Sequence, residues 1–309
     1  MQIQKNISLS KYTTFKVGGI AKYFCIAKNK KEIIQALKYA QKNKLKYLIL
    51  GKGSNLLISD NGFNGLVIKL ENQKIKIKNN TIYAEAGANL QKLVHASSEH
   101  NLTGLEWSAG IPGTLGGAIR GNAGAFESFI ADTVQSVEVI DIKKNFQSLK
   151  LTKNFCQFSY RDSIFKHKKN YIILSAILKL KKGNSKEIKE KIKKYLIYRK
   201  KNHPLNFPSA GSVFKNIAKI KNPNPVMQIL LKKLNFIPAG WLIEQSGLKG
   251  KCIGKACVSK KHCNFIVNQG NAKTQDIYNL IVKIQKTIYN KFKIKIKPEI
   301  QLVGFKSLK

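Results

Sequence analysis

Apolar residues recur along the chain with two different periods, and the switches between them divide it into elements. In KNKKEIIQALKYAQKNK, Ile33, Ile34, Leu37 and Ala40 fall at helical spacing, which predicts an amphipathic helix. It stands between an apolar strand that closes YTTFKVGGIAKYFCIA, after a turn at Gly18-Gly19, and a second strand in KYLILG. Together they predict a small βαβ unit. LLISDNGFNGLVIKL reads as strand, turn, strand, and the alternation in KIKIKNNTIYAEAGA predicts a hairpin turning at Asn79-Asn80. A second helix carries Leu90, Leu93, Val94 and Ser97 on one face. DTVQSVEVIDI and YIILSAILKL are strand patterns, and SKEIKEKIKKYLIYRKKNH is a helix stopped by Pro204.

Composition shifts after that helix and places a domain boundary near Lys200. Beyond it, AGWLIEQSG predicts a helix ending at Gly247, and CIGKACVS and NFIVN each read as a strand. A long helix follows, with Thr274 as its N-cap and Ile277, Leu280, Ile281, Ile284 and Ile288 as its apolar stripe. FKIKIKPEIQLVGF reads as a final strand with Phe292, Ile294, Ile296, Pro298, Ile300 and Leu302 on one face. Glu299 falls on the polar face, where a solvated role is the simpler reading.

One run follows neither period. Ala109 to Phe126, AGIPGTLGGAIRGNAGAF, is dense in glycine yet neither polar nor repetitive, unlike a solvated linker. Without Cβ atoms such a backbone can turn sharply and lie flat against something large. Two readings fit: a tight crossing between packed elements, or a wall of backbone against a planar cofactor. The loop Gly51-Lys52-Gly53-Ser54-Asn55 could offer successive N–H groups to a phosphate. It lacks the third glycine and following helix of a dinucleotide fingerprint, and the order of a Walker loop. Read alone, it is an ordinary β-turn. Arg161, between Tyr160 and Asp162, reads by itself as one half of an ion pair. Ser212 in PSAGSVFKN has no nucleophile elbow, so it reads as a positioned proton donor, with Lys215 and Asn216 as anion and amide contacts.

Charge changes the picture less than its size suggests. The 309 residues carry 56 Lys and Arg against 16 Asp and Glu, a formal charge of +40, the first mark of a nucleic-acid binder. Arg120, Arg161 and Arg199 are the only arginines, however, and the 53 lysines are spread through every segment. Bidentate base reading favours arginine, so drift toward Lys, Asn and Ile explains the charge and no specific nucleic-acid partner is expected. The N-terminus has no apolar leader, and no run approaches the ~18 apolar residues of a membrane span, so a cytoplasmic protein is expected. Five cysteines without a CxxC pair suggest neither a disulfide framework nor a zinc ribbon. Read as one strand, CIGKACVS sends Cys252 and Cys257 to opposite faces, as it does the neighbours His262 and Cys263, and no metal site is expected.

Taken in order, TTFKVGG, GKGSNLLISDNGFNGLVI, GLEWSAGIPGTLGGAIRGNAGA, YRDSIF, PSAGSVFKN, AGWLIEQSGLKG, VSKKHCNFIVN and PEIQLVG resemble the UDP-N-acetylenolpyruvoylglucosamine reductases of bacterial peptidoglycan synthesis, from about Thr13 to Gly304. The resemblance implies an α+β fold: a two-lobed FAD-binding domain of the vanillyl-alcohol-oxidase (PCMH) type, over residues 1–70 and 71–200, and a C-terminal α+β substrate-binding domain over 201–309. It implies non-covalent FAD, NADPH as hydride donor, UDP-N-acetylglucosamine enolpyruvate as substrate and a monomeric enzyme. By the same resemblance the cofactor would be held by Gly51, Lys52, Gly53, Ser54 and Asn55 and by the wall. The wall residues are Gly110, Ile111, Pro112, Gly113, Thr114, Gly116, Gly117, Ile119, Gly121, Asn122, Ala123 and Gly124. Arg161 would grip the substrate carboxylate and Ser212 would protonate C2. Glu299 would assist at that carboxylate, which requires it to hold or share a proton because two carboxylates repel. Tyr160, Lys215 and Asn216 would contact substrate.

Three departures stand out. Phe126-Glu127 replaces the family's usual Tyr-Gly, which puts a hydroxyl contact and a hinge there in question, and Cys263 replaces a customary alanine. The short connection from Phe165 to Pro204 matches the shorter family type, which lacks a substrate-covering tyrosine loop. Two rival classes remain: another oxidoreductase of the same flavin fold, which has no reason to keep Arg161, Ser212 and Glu299 together, and a colourless basic nucleic-acid binder.

Overall fold

The computed structural model describes residues 1–220 and 223–305, and these form two compact units. The first comprises residues 1–6, 22–52 and 64–201; the second comprises 7–21, 53–63 and 202–309. The last change from one unit to the other falls after Lys201. The first seventy residues, by contrast, are shared between the two units rather than forming a lobe of their own. The reason is visible in the packing: Phe15, Val17 and Leu57 are buried in the apolar core of the second unit.

In the first unit a four-stranded sheet runs in the order Ile3–Ser8, Ile20–Ala27, Phe63–Leu70, Tyr47–Leu50, the last two strands parallel. Helix Lys30–Lys42 starts at Asn29, whose side chain accepts the Glu32 N–H, and buries Ile33, Ala36, Leu37 and Ala40. A five-stranded antiparallel sheet follows, ordered Gln147–Thr152, Val134–Asp141, Tyr171–Lys179, Thr81–Glu85, Ile75–Lys78. Its central strand Tyr171–Lys179 is almost wholly buried, as its unbroken apolar run dictates. Helix Leu90–Glu99 and the short helix Leu115–Gly121, inside the glycine run, complete the part that concerns function. The segment from Phe165 to Pro204 folds mainly as strand Tyr171–Lys179 and helix Ser185–Asn202.

The second unit packs helix Thr274–Phe292 through Ile277, Leu280, Ile281, Ile284 and Ile288, all fully buried, as the stripe predicts. Its start falls one residue earlier than expected: Lys273 is the cap, and the Asp276 carboxylate accepts the Lys273 N–H. A three-stranded antiparallel sheet of Cys252–Ile253, Ala256–Val258 and Ile266–Asn268 corrects the reading of CIGKACVS as one strand. Gly254, at φ +53°, lets the chain reverse after Ile253, so Cys252 and Cys257 become directly opposed partners and are joined by a disulfide. The sequence reading suggested no disulfide framework, and this single pair was missed because a Gly-X turn signal was passed over. The final strand is also shorter than expected. The long helix runs on to Phe292, and the strand itself is reduced to Gln301–Val303, paired in parallel with Leu56–Ile58, with an isolated bridge from Pro298 to Phe214 before it. The in-out alternation survives, with Ile294, Ile296 and Ile300 buried, while Pro298 has no N–H to give a ladder.

Candidate functional site

In the first unit the glycine run is pinned along its length. The Gln91 amide donates to Ser108 O and Ile111 O and accepts the Gly110 N–H, at 3.1, 2.8 and 2.9 Å. Leu90 N–H donates to Gly113 O, and the Leu115 and Gly116 N–H groups donate to Ala88 O and Ala86 O. Three of its six glycines have a packing reason. A Cβ on Gly116 would stand 2.9 Å from that of Ala86, one on Gly110 2.8 Å from Arg199 Cδ, and one on Gly124 would collide with the Phe129 ring.

Gly117 and Gly121 have no such reason. A Cβ on Gly121 would meet nothing within 4 Å, and one on Gly117 only the Thr114 hydroxyl, at 3.5 Å. Four residues apart in helix Leu115–Gly121, they share a face. A helical glycine costs about 1 kcal/mol against alanine, so this is stability given up for a bare backbone face. A flat aromatic ring system is the kind of group that such a face admits and a row of methyls would hold off.

Several of the other expected wall residues spend their side chains within the fold. Ile119 is fully buried in the core. The Thr114 hydroxyl accepts the Gly117 N–H as the helix cap. Asn122, left-handed at φ 41°, closes that helix, and its amide is spent on Ser159 O and the Ala131 N–H. Nearby, a Cβ on Gly51 would lie 2.6 Å from the Thr114 hydroxyl oxygen, so the loop abuts the wall. The Lys52 ammonium is pulled below its ordinary pKa by burial and then by Lys69 and Lys92, a cluster of cations that an anion would relieve.

Arg161 occupies a tight turn in which Ser159 and Asp162 exchange both main-chain hydrogen bonds. It is left-handed, φ 55°, a conformation that favours glycine or asparagine and stores strain. Its Nη2 donates to Gly124 O at 2.7 Å, its guanidinium carbon lies 5.3 Å from the exposed Tyr160 ring, and its carbonyl accepts Lys166 Nζ at 2.6 Å. Asp162 bonds instead to His167 Nε2, at 2.9 Å, and to the Ser163 N–H. Burial pushes that carboxyl up, but these two bonds and Lys166 outweigh it and hold it below its ordinary pKa. The turn therefore ties Arg161 to the wall.

In the second unit Ser212 lies in an extended stretch held on both sides. On one side Ser212 bridges Phe265, the Val213 N–H donates to Asn264 O, and the buried Asn264 side chain both accepts the Phe214 N–H and donates to Phe214 O, each at 2.9 Å. On the other, Glu299 N–H donates to Val213 O at 2.7 Å and Lys215 N–H to Lys297 O. Ser212 and Glu299 thus sit on neighbouring stretches. Asn55 joins them, its amide donating to Glu299 O at 3.3 Å. Lys215 is half-buried, and the Asn216 side-chain oxygen accepts the Ala239 N–H at the start of helix Ala239–Gln245, a capping role that sequence reading missed. Missed too were Gln91, Asn264 and Arg199. The last had a signal: in a chain where nearly every cation is lysine, a retained arginine marks a place that needs its fork.

One α+β unit thus carries a bare glycine face, and the other a clamped serine whose stretch lies beside that of a glutamate. Residues 21–144 match the family profile of an FAD binding domain, and residues 203–303 that of the C-terminal domain of UDP-N-acetylenolpyruvoylglucosamine reductase. The chain is 42% identical over 302 residues to the UDP-N-acetylenolpyruvoylglucosamine reductase of Caldanaerobacter subterraneus subsp. tengcongensis, covering 97% of this chain and 93% of that one. It is 40% identical over 307 residues to that of Caldicellulosiruptor bescii, covering 98% and 91%. The crystal structure of UDP-N-acetylenolpyruvylglucosamine reductase from Thermus caldophilus matches with a TM-score of 0.80 at 30% identity, over 98% of this chain and all of that one. The chain belongs to the UDP-N-acetylenolpyruvoylglucosamine reductase family.

Proposed function

We propose that the protein uses NADPH and bound FAD to reduce the enolpyruvyl group of UDP-N-acetylglucosamine enolpyruvate to the lactyl ether of UDP-N-acetylmuramate, as a cytoplasmic monomer. When bound, FAD supplies the hydride chemistry, accepting from NADPH and delivering to C3 of the enolpyruvyl group. The residues of this chain do the rest. In the first unit the bare face at Gly117 and Gly121 takes the flavin, and the loop from Gly51 with its lysine cluster takes the diphosphate. Arg161, held by Gly124 O at 2.7 Å, presents the rest of its guanidinium to the substrate carboxylate and stabilises the charge that develops there. In the second unit Ser212 donates a proton at C2. A serine hydroxyl is a weak acid in water, so it serves only where its oxygen is fixed beside a strongly basic carbon, and the double clamp on Val213 and Phe214 supplies that fixity. Glu299 shares a proton with the substrate carboxylate, while Tyr160, Lys215 and Asn216 line the remainder of the substrate.

The observation that supports this reading is the pair of helical glycines whose side chains would meet nothing closer than 3.5 Å. The test is an anaerobic flavin spectrum of the purified protein, reduced with NADPH and then mixed with the enolpyruvyl sugar. Bleaching followed by recovery only on adding that sugar is expected. Bleaching without recovery would assign a different acceptor, and a protein that takes up no FAD would overturn the reading.

A further inference from the structure

We propose that Arg199 is a positioning residue of the flavin site, fixing the start of the glycine wall and setting a cation against its carbonyls. Arg199 comes from the last turn of helix Ser185–Asn202 and is only 7% exposed. Its Nε donates to Ala109 O at 2.7 Å and its Nη2 to Trp107 O at 3.0 Å, two carbonyls spaced as a guanidinium fork can span and a lysine cannot. Gly110, at φ +79°, leaves the room its Cδ occupies. The Phe126 ring lies 5.2 Å from the guanidinium carbon and is itself stacked on Tyr195 of the same helix, at 4.1 Å and 14°.

Among the described residues no carboxylate pairs with this cation. Carbonyl oxygens and an aromatic face compensate it only partly, and burial pulls its pKa down. Burying a charge without a counter-charge is costly, and stability alone would be served as well by an apolar side chain. A cation bonded to the carbonyls that lead into the wall acts instead on whatever lies along the wall. The inference rests on the reading that FAD does so. Two-electron reduced flavin is more negative than oxidised flavin at neutral pH, so the cation favours the reduced form, and the flavin potential reports the ratio of the two affinities.

The test compares Arg199→Met and Arg199→Lys with the unaltered protein, reading FAD affinity by titrating the apoprotein and flavin potential in the holoenzyme. Arg199→Met is expected to weaken FAD binding tenfold or more. It should also lower the oxidised-to-reduced dissociation-constant ratio up to tenfold, a potential about 30 mV more negative. Arg199→Lys should keep the potential and still lose affinity, a separation that general loosening of the fold would not produce. Unchanged FAD affinity in Arg199→Lys overturns the positioning role even where the Met variant does not fold, and equal potentials in the Met variant and the unaltered protein overturn the electrostatic one. Gly121→Val separates the premise from the inference: if it too leaves FAD affinity intact, the flavin does not lie on the wall.

Discussion

Gly117 and Gly121 pit stability against binding in a form that can be measured. Neither has a left-handed φ and neither is crowded, so Gly117→Ala should raise the stability of the apoprotein by about 0.5–1 kcal/mol, with a smaller gain at the helix end for Gly121→Ala. Both should weaken FAD binding. Urea unfolding and FAD titration on the same samples check the opposed signs; alanines that stabilise and leave FAD affinity alone would remove the cofactor from this face. Ser212 is tested by its half-reactions. Ser212→Ala should leave flavin reduction by NADPH near normal and slow reoxidation by the enolpyruvyl sugar, on the order of 10²–10⁴-fold as for a lost general acid. Equal losses in both halves would assign the serine to folding or to cofactor binding.

At the scale of elements, the hairpin Gly124–Ala125 to Ser128–Phe129 shows what the Phe126-Glu127 departure means. Both residues are left-handed, φ 51° and 62°, as a two-residue hairpin turn requires, so the family's glycine stood where glycine fits best. Glu127 is exposed, and Glu127→Gly should stabilise the protein by up to about 1 kcal/mol, read as a rise in urea midpoint. Phe126 is kept by its stack on Tyr195 and the Arg199 cation, so the question of a lost hydroxyl is answered by an aromatic anchor. The stretch carrying Ser212 is tied to His262, whose Nδ1 accepts the Asn264 N–H at 3.2 Å. Burial lowers the His262 pKa from 6.5, so between that folded value and 6.5 the unfolded chain binds more protons. Stability from this site is therefore complete above pH 6.5 and lost as pH falls below it. Urea unfolding at pH 7.5 and 5.5 should show the loss, reduced in His262→Gln; an undiminished slope would assign it to other groups.

These elements also show how far the residue pattern carries. Helices Lys30–Lys42, Leu90–Glu99 and Thr274–Phe292 were legible because each buries one face, and strand Tyr171–Lys179 because it buries both. The reversal at Gly254 was missed because strands of two and three residues are too short to display a period, which left the Gly-X turn as its sole local signal. Arg199 was not legible, because its partners are carbonyl oxygens ninety residues away, which no local pattern encodes. The resemblance named Arg161, Ser212 and Glu299, but only the fold shows that the first leans on Gly124 and the other two sit on neighbouring, hydrogen-bonded stretches.

On the scale of the whole molecule, 56 Lys and Arg face only 16 Asp and Glu, a formal charge of +40, and pairs such as Lys30–Glu138 and Lys249–Glu244 lie at the surface, where each has little weight. Self-repulsion should therefore govern the response to salt. The melting temperature is expected to rise between 10 and about 150 mM NaCl, as the Debye length shortens from ~30 to ~8 Å; a flat or falling curve would show that the lysines are already balanced. The division into two units has its own consequence in time. The second unit takes Phe15, Val17 and Leu57 into its core and pairs Leu56–Ile58 with Gln301–Val303. On the ribosome, those early segments emerge on the order of tens of seconds before their partners are made, at roughly 5–20 residues per second. Until the residues from Ala210 onward emerge, Phe15, Val17 and Leu57 lack the core that buries them, a natural place for a chaperone to hold the nascent chain.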